Sequence, residues 1–593
     1  MKKLFSTKLV LIIVLCSVAT TLWGQARTIT GKVVASDSNE PIPIASVLVK
    51  GHNSLGVYTD DSGNFTIKNL PANATTLIVN YMGYITKEVT IDNKSHIVVA
   101  LTPDAISLSQ VVVTALGIQR QSKEIGYATA KVNSEELTKV RNVDATQALI
   151  GKVSGLQISV SSASLDAGVR VNLRGSRSFL GNNQALLVVD GVPTPLSYLQ
   201  TINPNDIENI SVLKGGSAAA LYGSAAANGV LYVSTKTGER GRPNITYSLT
   251  TTFDKMSYFP KYQKRFGSGS EDGTTGFGYY IKDENQQYGP EFDGSNVDIG
   301  QPIMLPNGEK KQLTTTYSFK KGAKEGYYQT GIGLQNDISF SSNGDNGSFF
   351  LSYQNVKRTG TIIHDKYRRQ TIKMSASRKY KNFKAGTNLS YSNLKTDLNN
   401  SSSNGMQALW NTSGHIDLRD YKDWKNAEGA NPNDWINSYY PNPYAQMDLA
   451  RREARRDRIS GAIDLEYKPL KWLRFQGRAG MNLGINNYND KTHPWHYSDW
   501  AKQTRSTASS GDIYTSMETG SSYSQRINVD VMGFAEHKFN KKFQIKGMLG
   551  WSINDNYSES KSVSAGQLEI DDLFNLSNRV GELSGGNSWS QTK

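Results

Sequence analysis

Beyond residue 240, apolar side chains keep to every second position in one segment after another. They do so at Ile332, Leu334, Ile338 and Phe340, at Phe383, Ala385, Leu389 and Tyr391, at Ile459, Ile463, Leu465 and Tyr467, and at Leu549, Trp551 and Ile553. A period of two marks a β-strand with one apolar face. The intervening Ser, Asn, Gln, Lys and Arg make the other face wet. The strands run to about 10 to 12 residues, longer than the 5 or 6 usual in soluble sandwiches. Short turns such as Asn343–Gly347 and Lys468–Trp472 alternate with long polar segments such as Leu394–Leu449. Long strands, short turns at one end and long loops at the other predict an antiparallel transmembrane β-barrel. A propeller would repeat at a fixed period, and none is present.

The chain before this region reads differently. Residues 27–103 alternate in short strands, TITGKVVAS to HIVVAL, and predict an immunoglobulin-like β-sandwich. Asp61–Asn64 is a tight turn at hairpin spacing between Val57–Thr59 and Phe65–Ile67. Residues 104–119 form a linker that nonetheless contains LSQVVVTALGI, whose valine triplet favours extended backbone and burial. Residues 120–240 predict a small α/β unit. Within it Thr146–Ile158 reads as a short helix running into a strand, and ALLVVDGVP as a buried strand turning at Asp190-Gly191. NPNDIENISVLKG predicts a capped helix at Asn205-Asp206 followed by a strand over Ile210–Lys214. In Gly216–Gly238 small residues permit backbone to lie on backbone, and Gly223 and Gly229 can take positive φ.

Composition narrows the compartment. Lys2, Lys3 and Lys8 flank the apolar run Leu9–Leu15, and Gly24 and Ala26 offer a cleavage site, so residues 1–26 predict an export signal. The run is far shorter than the roughly 18 residues a membrane helix needs. Cys16 is the single cysteine, so cleavage leaves no disulfide and no thiolate site. The charge of +14 falls to +11 with the three signal lysines and is spread along the whole chain, so no nucleic-acid partner is inferred and an anionic envelope suits the sign as well. The densest basic run, Arg451–Arg458, alternates with acids and reads as a solvated strand or loop end. No later stretch is long and apolar enough for a membrane helix, which leaves a barrel as the only spanning structure.

Two motifs carry a resemblance. The first module follows the carboxypeptidase regulatory-like pattern through Gly31, Pro43, Ala45, Gly51, Thr59, Asp60, Gly63 and Phe65, without a zinc ligand set. VVDGVP at Val188–Pro193 and the stretch Asn203–Gly238 resemble the plug of TonB-dependent outer-membrane transporters, and the order of modules resembles their SusC/RagA branch. The resemblance implies that Gln110, Val111, Val112, Val113 and Thr114 are the TonB box, an extended peptide that adds a strand to the energy-transducing protein TonB. It implies that Arg174, Gly175, Asp190, Gly191, Tyr222, Gly223 and Gly229 are structural parts of the plug. It implies import of an oligosaccharide or peptide across the outer membrane, a SusD-like surface lipoprotein as partner, and a 22-stranded barrel in outer-membrane lipid.

Trp410, Trp424, Trp435, Tyr439 and Tyr440 lie in the long segment 394–449 and could stack on cargo or pack loop on loop. His493 and His496 lack further ligands at metal spacing, Asp293, Asn296 and Asp298 lack the downstream bidentate glutamate of a calcium loop, and Gly267–Gly273 lacks a flanking strand and helix for nucleotide. No cofactor, metal or catalytic set is expected, and the protein reads as no enzyme. The 353 residues after residue 240 hold about nine strands, an incomplete barrel, so the sequence is expected to be the N-terminal part of a longer transporter. The rival is a secreted or surface β-rich adhesin without transport.

Overall fold

The computed structural model describes residues 27–71, 74–81, 84–92, 95–102, 111–113, 119–121, 129–140, 142–162, 164–214, 222–238, 241–274, 276, 278–400, 402–509, 511–539 and 543–593. The signal segment and two residues of the TonB box, Gln110 and Thr114, lie outside these. The chain divides into two compact units, one holding residues 1–112 and 119–126, the other 113–118 and 127–593.

The larger unit is dominated by a ten-stranded antiparallel meander. Its strands are β1 (Gly241–Asp254), β2 (Gly331–Gly344), β3 (Gly347–Thr359), β4 (Lys366–Tyr380), β5 (Phe383–Asn399), β6 (Ala450–Leu470), β7 (Leu473–Thr492), β8 (Ser516–Lys538), β9 (Gln544–Ala565) and β10 (Ser584–Thr592), each paired with its neighbours in sequence. Ten strands thus stand where the alternation pattern located about nine. β10 is glycine- and serine-rich, SGGNSWSQT, and carries no apolar alternation to announce it. β5 also continues to Asn399, into the segment read as loop from Leu394. β1 and β10 do not pair, so the sheet is not closed among the described residues.

The two ends of the sheet differ as expected. Gly344 pairs Gly347, Tyr380 pairs Phe383 and Leu470 pairs Leu473 across tight turns at one end. The other end carries residues 255–330, 400–449, 493–515 and 566–583; the short 360–365 link between β3 and β4 is the exception. β1 to β9 are 13 to 23 residues long, more than the roughly 9 to 11 a tilted strand needs to cross a bilayer.

Register sorts the faces. Tyr247, Ile338, Tyr353, Ile372 and Tyr391 stand opposite one another across β1 to β5 and are all exposed on the outside. One residue back, Asp337, Gln354, Thr371 and Ser392 form the matching row on the inside and are all buried. Such a sheet inverts the soluble rule: its greasy side is bare and its polar side is covered.

What covers the polar side is the plug. Strands Thr129–Asn133, Ile207–Leu213, Val230–Thr235, Leu186–Val189 and Val192–Thr194 form a mixed five-stranded sheet in that order. Its core includes Leu149, Val171, Leu187, Ile210, Leu231 and Val233. The helix Ala145–Leu149 is capped by Asp144, which accepts from the Thr146 and Gln147 amides, and leads to the strand Leu156–Val160. At Asn205-Asp206 the predicted helix is only a 3-10 turn, Pro204–Asp206, and the strand begins at Ile207 rather than Ile210. Pro204 and the Asn203 cap start the turn, but the apolar period that follows is that of a buried strand.

The smaller unit is a sandwich of a three-stranded sheet (Asn64–Leu70, Arg27–Ala35, His96–Leu101) and a four-stranded sheet (His52–Tyr58, Ser46–Val49, Thr76–Asn80, Lys87–Thr90). Here the hairpin expected at Asp61–Asn64 is corrected. Strands His52–Tyr58 and Asn64–Leu70 belong to different sheets, so the turn arches between them. Asp60 Oδ1 accepts from the Ser62 and Asn64 amides, and Gly63 O accepts from Val33 N of the strand that Asn64–Leu70 pairs with.

Candidate functional site: a plug held against a polar wall

Val111–Val113 is extended and pairs with Gln119–Gln121 in a two-stranded ladder. The central valines of the candidate TonB box therefore have strand geometry.

The plug motifs are placed by backbone need. Asp190 (φ 48°) and Gly191 (φ 87°) reverse Leu186–Val189 into Val192–Thr194, the two positive-φ residues of a tight hairpin. The Asp190 carboxylate accepts from Thr235 N at 2.8 Å and from the Thr235 hydroxyl at 2.6 Å, tying this turn to the strand Val230–Thr235. Gly191 lies against the wall: a Cβ there would stand 1.6 Å from Arg478 Nη1. Gly229 lies against its own sheet, where a Cβ would meet Leu173 Cδ1 at 2.6 Å and Leu213 O at 2.9 Å. Arg174 and Gly175 take φ of 60° and 84° in an exposed turn, and Gly223 has φ 67° beside half-buried Tyr222. Arg174 N donates to Gly155 O. The structure brings Asp190 and Gly191 to the wall and leaves Arg174 and Gly175 exposed.

The contact between plug and wall holds one apolar cluster, Val143 and Leu165 with Val356, Tyr367 and Leu394, and beside it many hydrogen bonds and ion pairs whose residues sequence reading missed. Asn203 Nδ2 donates to Asp337 Oδ1 at 2.9 Å, and Asp337 also accepts from Gln335 and Gln354. Buried Arg369 donates to Val143 O at 2.7 Å, to Gln200 O and to Gln354 Oε1. Lys373 Nζ donates to Lys236 O at 3.0 Å, and Asn482 Nδ2 to Pro193 O at 3.2 Å. Arg456 pairs with Asp166, and Arg458 donates to Ser197 Oγ at 3.1 Å. All these wall residues occupy inward positions of the strands, so the one signal available was a charged side chain on the wet face. The basic run Arg451–Arg458, read as solvated, is therefore part of β6. Arg451 is buried with Asp365 and also pairs with half-exposed Asp397, and Arg456 and Arg458 face the plug. Asp206 in the plug is fully enclosed at this interface, and burial pushes its carboxyl up to about 6 against the pull of Lys373.

The long loops have their own core. Ile299, Ile362, Tyr421, Trp424, Trp435, Tyr444 and Met447 are buried together. Trp435 Nε1 donates to Tyr440 O at 2.6 Å and Trp424 Nε1 to Asp448 Oδ2 at 2.8 Å. Of the five candidate aromatics, Trp424 and Trp435 thus build the loops, Tyr440 is half-buried, and Trp410 and Tyr439 are exposed. His493 pairs with Asp572 at 2.6 Å and His496 with Asp571 at 2.7 Å, joining two neighbouring loops.

Residues 29–113 match the carboxypeptidase regulatory-like domain family and residues 121–230 the TonB-dependent receptor plug domain family. A TonB-dependent receptor of Formosa agariphila is 36% identical over 243 residues, covering 40% of this chain and 24% of the relative. The TonB-dependent receptor SusC of Bacteroides thetaiotaomicron is 26% identical over 479 residues, covering 77% of this chain and 44% of SusC. A solved structure of the RagAB peptide importer in its open-open state superposes with a TM-score of 0.59 at 18% identity, over 81% of this chain and 53% of that one; it shows the fold alone. The chain spans less than half the length of these curated relatives. Regulatory-like module, plug and a wall of long antiparallel strands, in that order, are what this chain shares with TonB-dependent receptors. Among such receptors it is similar in sequence to SusC and in fold to the RagAB importer.

Proposed function

We propose that the chain forms the plug and part of the wall of an outer-membrane importer, exported by its signal segment, that takes up an oligosaccharide or peptide with energy delivered through TonB. The observation that carries this reading is the polar contact between plug and wall, exemplified by Asn203 on Asp337, Arg369 on Val143 and Arg456 on Asp166. A greasy interface would have to be exposed to water to let the plug move, whereas hydrogen bonds exchange with water at a net cost of only about 1 kcal/mol each. Pulling starts at Gln110–Thr114, where TonB adds a strand through three to five backbone bonds of similar size, weak enough to release after each cycle. Val111–Val113 is already extended, which supports this use. The wall's exposed apolar rows face outer-membrane lipid. The long loops face outward, where a SusD-like lipoprotein closes over them and Trp410 and Tyr439 remain available to cargo. The similarity to the TonB-dependent receptor SusC and the fold shared with the RagAB importer support the membrane reading. The reading assigns no catalysis.

Deletion of Gln110–Thr114 from the complete gene product tests it. Uptake of labelled cargo stops while binding at the cell surface persists. Uptake that is indifferent to the deletion supports the adhesin instead.

A further inference from the structure

Between the plug turn Pro195–Tyr198 and strands β6 to β10 lies a cavity of about 410 Å³, within the roughly 300 to 1,000 Å³ of small-ligand sites. Three arginines line it, Arg456, Arg458 and Arg526, and among the described residues no Asp or Glu does. The sheet brings them together. Arg458 of β6 stands opposite Gly484 of β7, so no side chain rises between it and β8, where Arg526 stands opposite Asn482. Arg456 bonds Asp166, which lies outside the cavity lining. Arg458 donates to Ser197 Oγ and Arg526 to Asn556 Oδ1, and neither has an ion pair among the described residues. Arg526 without an ion pair, and Arg458 with only the field of Asp166, which is already bonded to Arg456, stand in a recess walled by amides and hydroxyls and are placed to receive an anion in forked, charge-assisted hydrogen bonds.

We propose that this cavity is a cargo subsite for the carboxylate or sulfate group of an acidic oligosaccharide. The inference rests on the import reading above and names its cargo class. The remaining lining, including Asn482, Asn486, Ser522 and Ser524, matches a polyhydroxylated chain, which needs many small donors and acceptors beside its charge. Position gives the site a second consequence. Arg456 and Arg458 are also the residues that hold Asp166 and Ser197 of the plug, so an anion on the guanidinium groups competes with the plug for its wall.

The test is calorimetric titration of the complete receptor, purified in detergent, with a galacturonate tetramer, its methyl ester and tetraglutamate. The acid binds, with affinity falling as salt rises, and the ester binds at least about tenfold more weakly. Arg458→Gln with Arg526→Gln lowers affinity for the acid at least about tenfold and leaves the ester unchanged, which also shows that the variant is folded. Equal affinity for acid and ester, no binding of the acid, or an unchanged double variant overturns the subsite. Tetraglutamate binding more tightly than galacturonate overturns the assignment to a sugar. Acid binding that holds while uptake ignores deletion of Gln110–Thr114 overturns import and leaves the subsite standing.

Discussion

Gly191 shows at the scale of one residue how closely plug and wall fit. Its φ of 87° is one a side chain strains to adopt, and the Arg478 guanidinium occupies the space a Cβ would take. Gly191→Ala is therefore expected to cost about 2 kcal/mol and to loosen the plug, read as faster proteolysis within residues 120–240 in the purified receptor. Asp206 provides a second residue-scale test. Burial raises its folded pKa to about 6 from the usual value near 4. Between those two values the folded protein keeps a proton that the unfolded chain has lost, so stability falls as pH rises through the window and is level above it. Asp206→Asn removes that slope, and its melting advantage over the parent grows between pH 4.5 and pH 7 by on the order of 1 to 3 kcal/mol. An identical pH profile for both proteins would show that the carboxyl is hydrated.

At the scale of elements, the loops behave as a small folded layer. Trp435→Ala empties a site that is 2% exposed and is expected to cost about 3 to 5 kcal/mol of loop stability, whereas Trp410→Ala, at an exposed position, leaves the loops intact. Limited trypsin digestion between residues 400 and 449 separates the two. His415, buried among Tyr280, Phe292 and Tyr317, is pushed down to about 4 by burial and then by Lys320. It is neutral when folded, so the stability of this layer is lost as pH falls from about 6.5 towards 4. Sequence periodicity found the wall strands because their rule is local: each second side chain is apolar and exposed. It could not tell Trp435 from Trp410, because the core that takes in Trp435 also draws Ile299 and Ile362 from other loops. Sheet membership was hidden for the same reason. The turn after Asp60 has one local sequence whether it closes a hairpin or arches between sheets, and only the pairing of Gly31 with Phe65 decides. The plug motifs were legible because positive φ at Asp190-Gly191 and Gly229 demands particular residues, while Arg369 and Asp337 looked like any other polar residues on a wet face.

For the whole molecule the controlling feature is that the sheet carries an exposed apolar face and a covered polar one. Leu389 points outward from β5 and is 46% exposed, while Ser524 points inward from β8 into the large cavity. In a membrane wall a lysine at the first position faces hydrocarbon and costs about 2 to 4 kcal/mol near the midplane, whereas at the second it meets the aqueous lumen and costs little. Leu389→Lys is thus expected to reduce the amount of complete receptor recovered in outer membranes in a heat-modifiable form, and Ser524→Lys to leave that amount near the parent level. A secreted β-rich protein reverses the order, since its exposed face is already in water and the lysine at Leu389 is harmless there. The comparison needs no knowledge of cargo or partner. Recovery of both variants at equal yield would remove the membrane from the account, and with it the reason for so many bare apolar side chains on one side of β1 to β9.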